Sequence, residues 1–126
     1  MPYIGPYIPE DYEIEEMFAQ LTLARGEVSY NATNVAVGDA LPNDSVIVAL
    51  CVRVETPWDV PASMTIGNNS DSDLYADADS IDLNQEGLYM IDVYGITLGT
   101  STINAYINAP GAVIGKATVF AVVRVG

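Results

Sequence analysis

From Glu27 to the C-terminus the side chains alternate apolar and polar with a period of 2, in runs broken about every ten residues by Gly, Pro, Asn or Asp. The most regular run is Ser45 to Thr56. As a strand it puts Val46, Val48, Leu50, Val52 and Val54 on one side, expected to be core, and Ile47, Ala49, Cys51, Arg53 and Glu55 on the other. Further runs are expected at Glu27–Asn31, Asn34–Val37, Ala62–Ile66, Leu88–Leu98, Ser101–Asn108 and Lys116–Val125. Gly95 marks a candidate bulge, and Gly99-Thr100 a candidate hairpin turn. Helices do not alternate with these runs, so a parallel α/β sheet is not expected. The pattern predicts an all-β chain: an antiparallel β-sandwich or jelly-roll-like barrel.

Two strands are apolar on both sides. Ala117, Val119, Ala121, Val123 and Val125 form one row of the last strand. Lys116, Thr118, Phe120, Val122 and Arg124 form the other, which is itself partly apolar. A second apolar face calls for a cover, either a helix packed on the sheet or another subunit.

Ahead of the β-region lie two other kinds of sequence. Pro2, Pro6 and Pro9 alternate with Tyr3, Ile4, Tyr7 and Ile8, which predicts an extended arm. The arm either packs on its own domain or docks on a neighbouring subunit. Glu10 to Ala24 is the helix candidate. It has acidic residues at its start, an apolar stripe of Ile14, Met17, Phe18 and Leu21, and Arg25-Gly26 to close it. The expected organisation is therefore an arm and short amphipathic helix over residues 1–26 and a β-sandwich domain over 27–126.

Charge narrows the chemistry. Of 126 residues, 4 are Lys or Arg, 17 are Asp or Glu and none is His, a formal net charge of −13 in a chain that is 50% hydrophobic. Such a surface disfavours nucleic acid and anionic membranes. The apolar fraction is too high for intrinsic disorder. Without His there is no Ser-His-Asp or Cys-His chemistry. No nucleophile or phosphate-loop motif is present, so no enzyme activity and no cofactor are expected. Cys51, the only cysteine, can form no internal disulfide and reads as a small buried hydrophobe. No signal peptide is visible, and the longest apolar run, Val46 to Val52, is far short of the ~20 residues that span a bilayer. The expectation is a soluble protein that is not secreted, whereas the Asn-x-Ser/Thr matches at Asn31, Asn43 and Asn68 would need a secretory route to be glycosylated.

Two clusters are candidate sites. Asp71, Asp73, Asp77, Asp79 and Asp82 could offer oxygens to calcium. The segment fails the EF-hand pattern at Tyr75 and Ala76, however, and its aspartates equally suit local turn hydrogen bonds. Trp58, between Pro57 and Pro61, is either a corner plug or an exposed contact. With Tyr75, Tyr89, Tyr94 and Tyr106 it could form a sugar-stacking platform.

The middle of the chain also carries an ordered series: Gly38-Asp39-Ala40-Leu41-Pro42, the strand Val46 to Glu55, Thr56-Pro57-Trp58-Asp59, Thr65-Ile66-Gly67-Asn68, Asp73-Leu74-Tyr75, Asp79-Ser80-Ile81-Asp82-Leu83 and Gly87-Leu88-Tyr89. Over roughly residues 35 to 126 this resembles small β-sandwich virion structural proteins of tailed bacteriophages, of the head decoration (cement) or head-fibre type. The resemblance implies a non-enzymatic capsid decoration protein, often a homotrimer. Such a protein binds the major capsid protein on the outer capsid surface after synthesis in the host cytoplasm. The arm and helix would supply the contacts: Tyr3, Ile4, Tyr7, Ile8, Ile14 and Phe18. The alternatives are a carbohydrate- or host-surface-binding module and a tail or head-to-tail component.

Overall fold

The computed structural model describes residues 3–6, 8–17 and 21–126. Two antiparallel sheets face each other. The larger, sheet A, has the order β1 (Tyr3–Gly5), β6 (Gly87–Ile96), β4 (Val46–Thr56), β8 (Lys116–Arg124), β2 (Thr22–Ser29). The smaller, sheet B, is ordered β3 (Asn34–Leu41), β7 (Ser101–Asn108), β5 (Ser63–Gly67). The sheets do not close into a barrel.

The inner faces build one core. Leu50, Val52 and Val54 of β4 and Ala117, Val119, Ala121 and Val123 of β8 meet Met64, Ile66, Ile103, Ala105 and Ile107 of sheet B. Parity along β4 is not constant, however. Ile47 joins the same core as Leu50, because both β4 ladders shift register between Ile47 and Ala49. On β6 the step from Asp92 to Gly95 opposes the shorter step from Ala49 to Ile47, and Tyr94 takes φ 51° there. This bulge reverses which residues face inward, a switch that strict alternation along the sequence could not anticipate.

The turn at Gly99-Thr100 does not close a hairpin. β6 lies in sheet A and β7 in sheet B, so the chain crosses between sheets there. Thr97 and Asn43 fasten the crossing: Thr97 Oγ1 donates to the Pro42 carbonyl at 2.8 Å, and Gly99 N–H donates to Asn43 Oδ1 at 2.7 Å. Turn residues look alike whether the chain returns within a sheet or leaves it.

The helix is shorter than its apolar stripe suggests. α1 spans Asp11–Met17, and Thr22–Ala24 belong to β2, which therefore crosses residue 26. The reason is pairing: β2 runs in register with β8 from Thr22↔Val123 to Ser29↔Lys116. That ladder outweighs the helix propensity of Leu23 and Ala24. Gly26 is not a helix stop but a point of close approach, where a Cβ would lie 2.8 Å from the Ala36 carbonyl oxygen.

Candidate functional site

A seven-residue helix is too short to persist alone, so α1 must be held by tertiary contacts. Its N-terminus has one half of a capping box: Glu10 N–H donates to Glu13 Oε1 at 3.0 Å. Ile14 is fully buried on the outer face of sheet A, in a small cluster with Cys51, Leu88 and Phe120. Burying it contributes about 2 kcal/mol. The helix is thus the cover for part of the second apolar face of β4 and β8. Cys51 is inert in this setting, since burial raises its thiol pKa to about 12 although Arg53 pulls it down.

Polar contacts beside this cluster gather three of the chain's four cations: Arg25, Arg53 and Lys116. Arg53 is almost wholly buried. Its Nη1 donates to the Pro9 carbonyl at 2.9 Å and to Asp11 Oδ1 at 2.6 Å, its Nε to Glu55 Oε1 at 3.2 Å, and its Nη2 to Thr118 Oγ1 at 3.2 Å. Asp11 is shared, because its Oδ2 lies 2.9 Å from Arg25. Glu55 accepts from Thr118 Oγ1 at 2.6 Å and pairs with Lys116 at 3.4 Å. The Phe120 ring lies beneath both guanidinium groups, 5.5 Å from Arg53 and 6.0 Å from Arg25. Burial pushes the Arg53 pKa down, but the hydrogen bond to Asp11 and the charges of Glu55 and Asp11 outweigh it and raise the net value. Burial likewise pushes Glu55 up. The Thr118 hydrogen bond and the charges of Arg53 and Lys116 outweigh that, and its carboxyl ends below the usual range.

The arm packs on its own domain. β1 pairs with β6, Tyr3 opposite Tyr89 and Gly5 opposite Leu88. The Tyr3 ring sits 5.1 Å from the Tyr89 ring, and its hydroxyl donates to the Glu86 carbonyl at 3.1 Å. The ring fills the space where Gly87 lacks a Cβ. With φ at 147° there, any other residue would be strained as well as blocked. Of the expected contact residues, Tyr3 and Ile14 face their own domain, while Ile4 and Ile8 are 58% and 38% exposed. Tyr7 and Phe18 lie outside the described residues. Tyr12, absent from the expected set, is 62% exposed, an orientation that only the helix register reveals.

Trp58 is the corner plug, not an exposed contact. It belongs to the main core, its backbone N–H donates to the Leu83 carbonyl at 2.9 Å, and Gly115 packs flat on its ring. Its flanking prolines turn the chain so that the indole points inward, with its N–H buried and unpaired among the described residues. The tyrosines do not join it in a platform. Tyr89 is buried, with its hydroxyl donating to the Asp82 and Gln85 carbonyls, whereas Tyr94 stands exposed on β6.

The aspartate segment is organised by local turns. Asp71 Oδ1 accepts from Asp73 N–H at 3.3 Å, Asp77 Oδ1 from Asp79 N–H at 3.1 Å and Ser80 Oγ at 3.0 Å, and Asp82 Oδ1 from Asn84 N–H at 2.9 Å. Among the described residues, no group of three or more acidic or Cys side chains converges as a metal site would require.

No family model and no curated protein sequence matches the chain. Solved structures do. A chain of the Cyanophage Pam1 capsid asymmetric unit superposes with a TM-score of 0.66 at 12% identity, covering 84% of this chain and 85% of that one. A chain of the acidic stable capsid structure of Helicobacter pylori bacteriophage KHP30 superposes with a TM-score of 0.65 at 15% identity, covering 81% and 85%. The sandwich is thus a fold found in phage capsids. The near-equal shares also mean that the matched chains are close to this one in length.

Proposed function

We propose that the chain is a non-enzymatic virion structural protein, and specifically a decoration protein that binds the major capsid protein on the outer surface of the shell. The observation that carries this reading is the match, over more than four-fifths of the chain, to similarly short chains from two phage capsids. The net charge of −13 supports an outer position, because packaged DNA repels such a surface. The mechanism is mechanical: binding across subunit boundaries stabilises the lattice in proportion to its preference for the mature state. Anchoring is assigned to the N-terminal segment. Self-association as a homotrimer is assigned to the end of β6 and the turn after it, where Tyr94, Ile96 and Leu98 are exposed.

The test is co-sedimentation with capsids stripped of this protein, followed by a thermal melt of the shell. The expected result is saturable binding and a raised shell melting temperature, both lost in the Ile4→Ser/Ile8→Ser chain, which is altered only at exposed positions of the N-terminal segment. Full binding by that variant would sink the anchoring role, and no binding by the intact chain would sink the decoration role.

A further inference from the structure

The outward face of sheet B carries no charged side chain. Because Ile103, Ala105 and Ile107 turn into the core, the residues of β7 that face out are Thr102, Asn104, Tyr106 and Asn108. Across the strands Tyr106 stands between Asn34 and Thr65, and Asn104 stands between Ala36 and Gly67. Two of these side chains are fixed. Asn104 is buried and its Nδ2 donates to Asn69 Oδ1 at 2.8 Å, while the Tyr106 hydroxyl donates to the Asn68 carbonyl at 2.7 Å. The others are unspent: the amides of Asn34 and Asn108 and the hydroxyls of Thr65 and Thr102 have no hydrogen-bond partner among the described residues. A hollow lies at each end of β7, about 280 Å³ beside Asn69 and Thr102 and about 290 Å³ beside Tyr30 and Asn108. Among the described residues, neither hollow is lined by Asp, Glu, Lys or Arg.

We infer that this face binds a neutral oligosaccharide, laid along β7 from one hollow to the other. A pyranose ring would rest its C–H face on Tyr106. Its hydroxyls would pair with the amides of Asn34 and Asn108 and the hydroxyl of Thr65, groups that each donate and accept. Charge excludes an ionic ligand. In a chain of net −13, this tract offers neither a cation to an acidic sugar nor a carboxylate to a basic peptide. Area argues against a second copy. Three strands span roughly 14 Å and an eight-residue strand about 26 Å, so the face covers under about 400 Å². That is about half of the ~800 Å² that a stable protein interface buries on each side. The face also lacks the apolar centre of such an interface, since the exposed Tyr94 and Ile96 stand on sheet A. Tyr106 and Asn104, already held in place, lose little freedom on binding, which suits a ligand gripped mainly through hydroxyls. Trp58, Tyr75, Tyr89 and Tyr94 take no part. The inference goes beyond the decoration reading and does not rest on it.

The experiment is an amide NMR titration of the full chain. The probes are maltohexaose, cellopentaose and chitopentaose, all neutral, and the control is hexagalacturonate, which is anionic. The expected result is saturable shifts at Asn34, Thr65, Asn104 and Tyr106 with at least one neutral probe and none with the control. The doubly substituted Asn34→Ala/Asn108→Ala chain, altered only at exposed positions without a protein partner, should keep its amide spectrum and bind that probe about tenfold or more weakly. The absence of shifts along β7 with all the neutral probes, an equal response to hexagalacturonate, or undiminished binding by the double variant would overturn the inference. Shifts at the same residues on concentrating the chain without sugar would give the face to a second copy and overturn it as well.

Discussion

Two acidic regions of this molecule share a composition and differ in everything else. Beside α1, Asp11 and Glu55 bind Arg53, Arg25 and Lys116 across four separate elements. In the 71–84 segment, Asp71, Asp77 and Asp82 each serve a backbone N–H two residues ahead. The first set joins segments distant in sequence, while the second only shapes a loop. The difference lies in the cations. With four in the chain, their positions decide which acids are structural. It also shows in the titration: Glu55 is held below the usual range, whereas the hydrogen bond and charge of Asp71 push Asp73 above it.

The contrast is open to attack, most strongly at its apolar floor. Phe120→Ala removes a fully buried ring that supports both guanidinium groups. It should cost about 3–5 kcal/mol, read from the urea midpoint. Next comes Arg53→Ala, which leaves Asp11 with Arg25 alone and Glu55 with only Thr118 and Lys116. Because Asp11 is partly exposed, about 2–4 kcal/mol is expected, with loss of amide protection around Ile14. If Arg53→Ala costs no more than a loop aspartate, the distinction drawn between the two regions is wrong.

Acid titration sharpens the comparison further. The pKa of Glu55 is lowered in the fold, so its contribution is complete above the unfolded value of 4.5 and is lost as pH falls through the folded value. Asp73 runs the other way: its pKa is raised, so stability is present below 3.8 and lost as pH rises through the raised value. Glu55→Gln should therefore flatten the loss of stability below about pH 4.5 seen in pH-dependent denaturant melts, and Asp73→Asn should not. The smallest effect is expected from Asp77→Ala, which removes local hydrogen bonds at an exposed turn. About 0.5–1 kcal/mol is predicted, with the β-core amides unchanged in hydrogen exchange.

Much of the fold was legible in period and punctuation. The strands from Ser101–Asn108 and Lys116 onward, with their buried rows, follow from alternation alone, and the two-sided apolarity of β4 and β8 correctly called for a cover. An antiparallel sandwich or barrel followed from strand spacing and turns, and the likeness to phage capsid chains agrees with the resemblance of residues 35–126 to small phage virion proteins. The candidate surface was legible only in part. Ile4 and Ile8 can be picked out as unusual apolar residues in an arm, but nothing local distinguishes them from Tyr3 and Ile14, which turn inward.

Alternation, turn residues and the shortage of cations determined by themselves that this chain is all-β and antiparallel, a sandwich or a barrel, with an acidic surface, because strand period and net charge are local or additive properties. The tertiary structure alone decided the rest. It set where β4 reverses its inward parity, that Thr22–Ala24 join a sheet, that Trp58 is a plug, and that Arg53 clamps the N-terminal segment. Each of these depends on which distant backbone or carboxylate a residue meets, and pairing energies between remote segments override the preferences a residue expresses beside its neighbours in sequence.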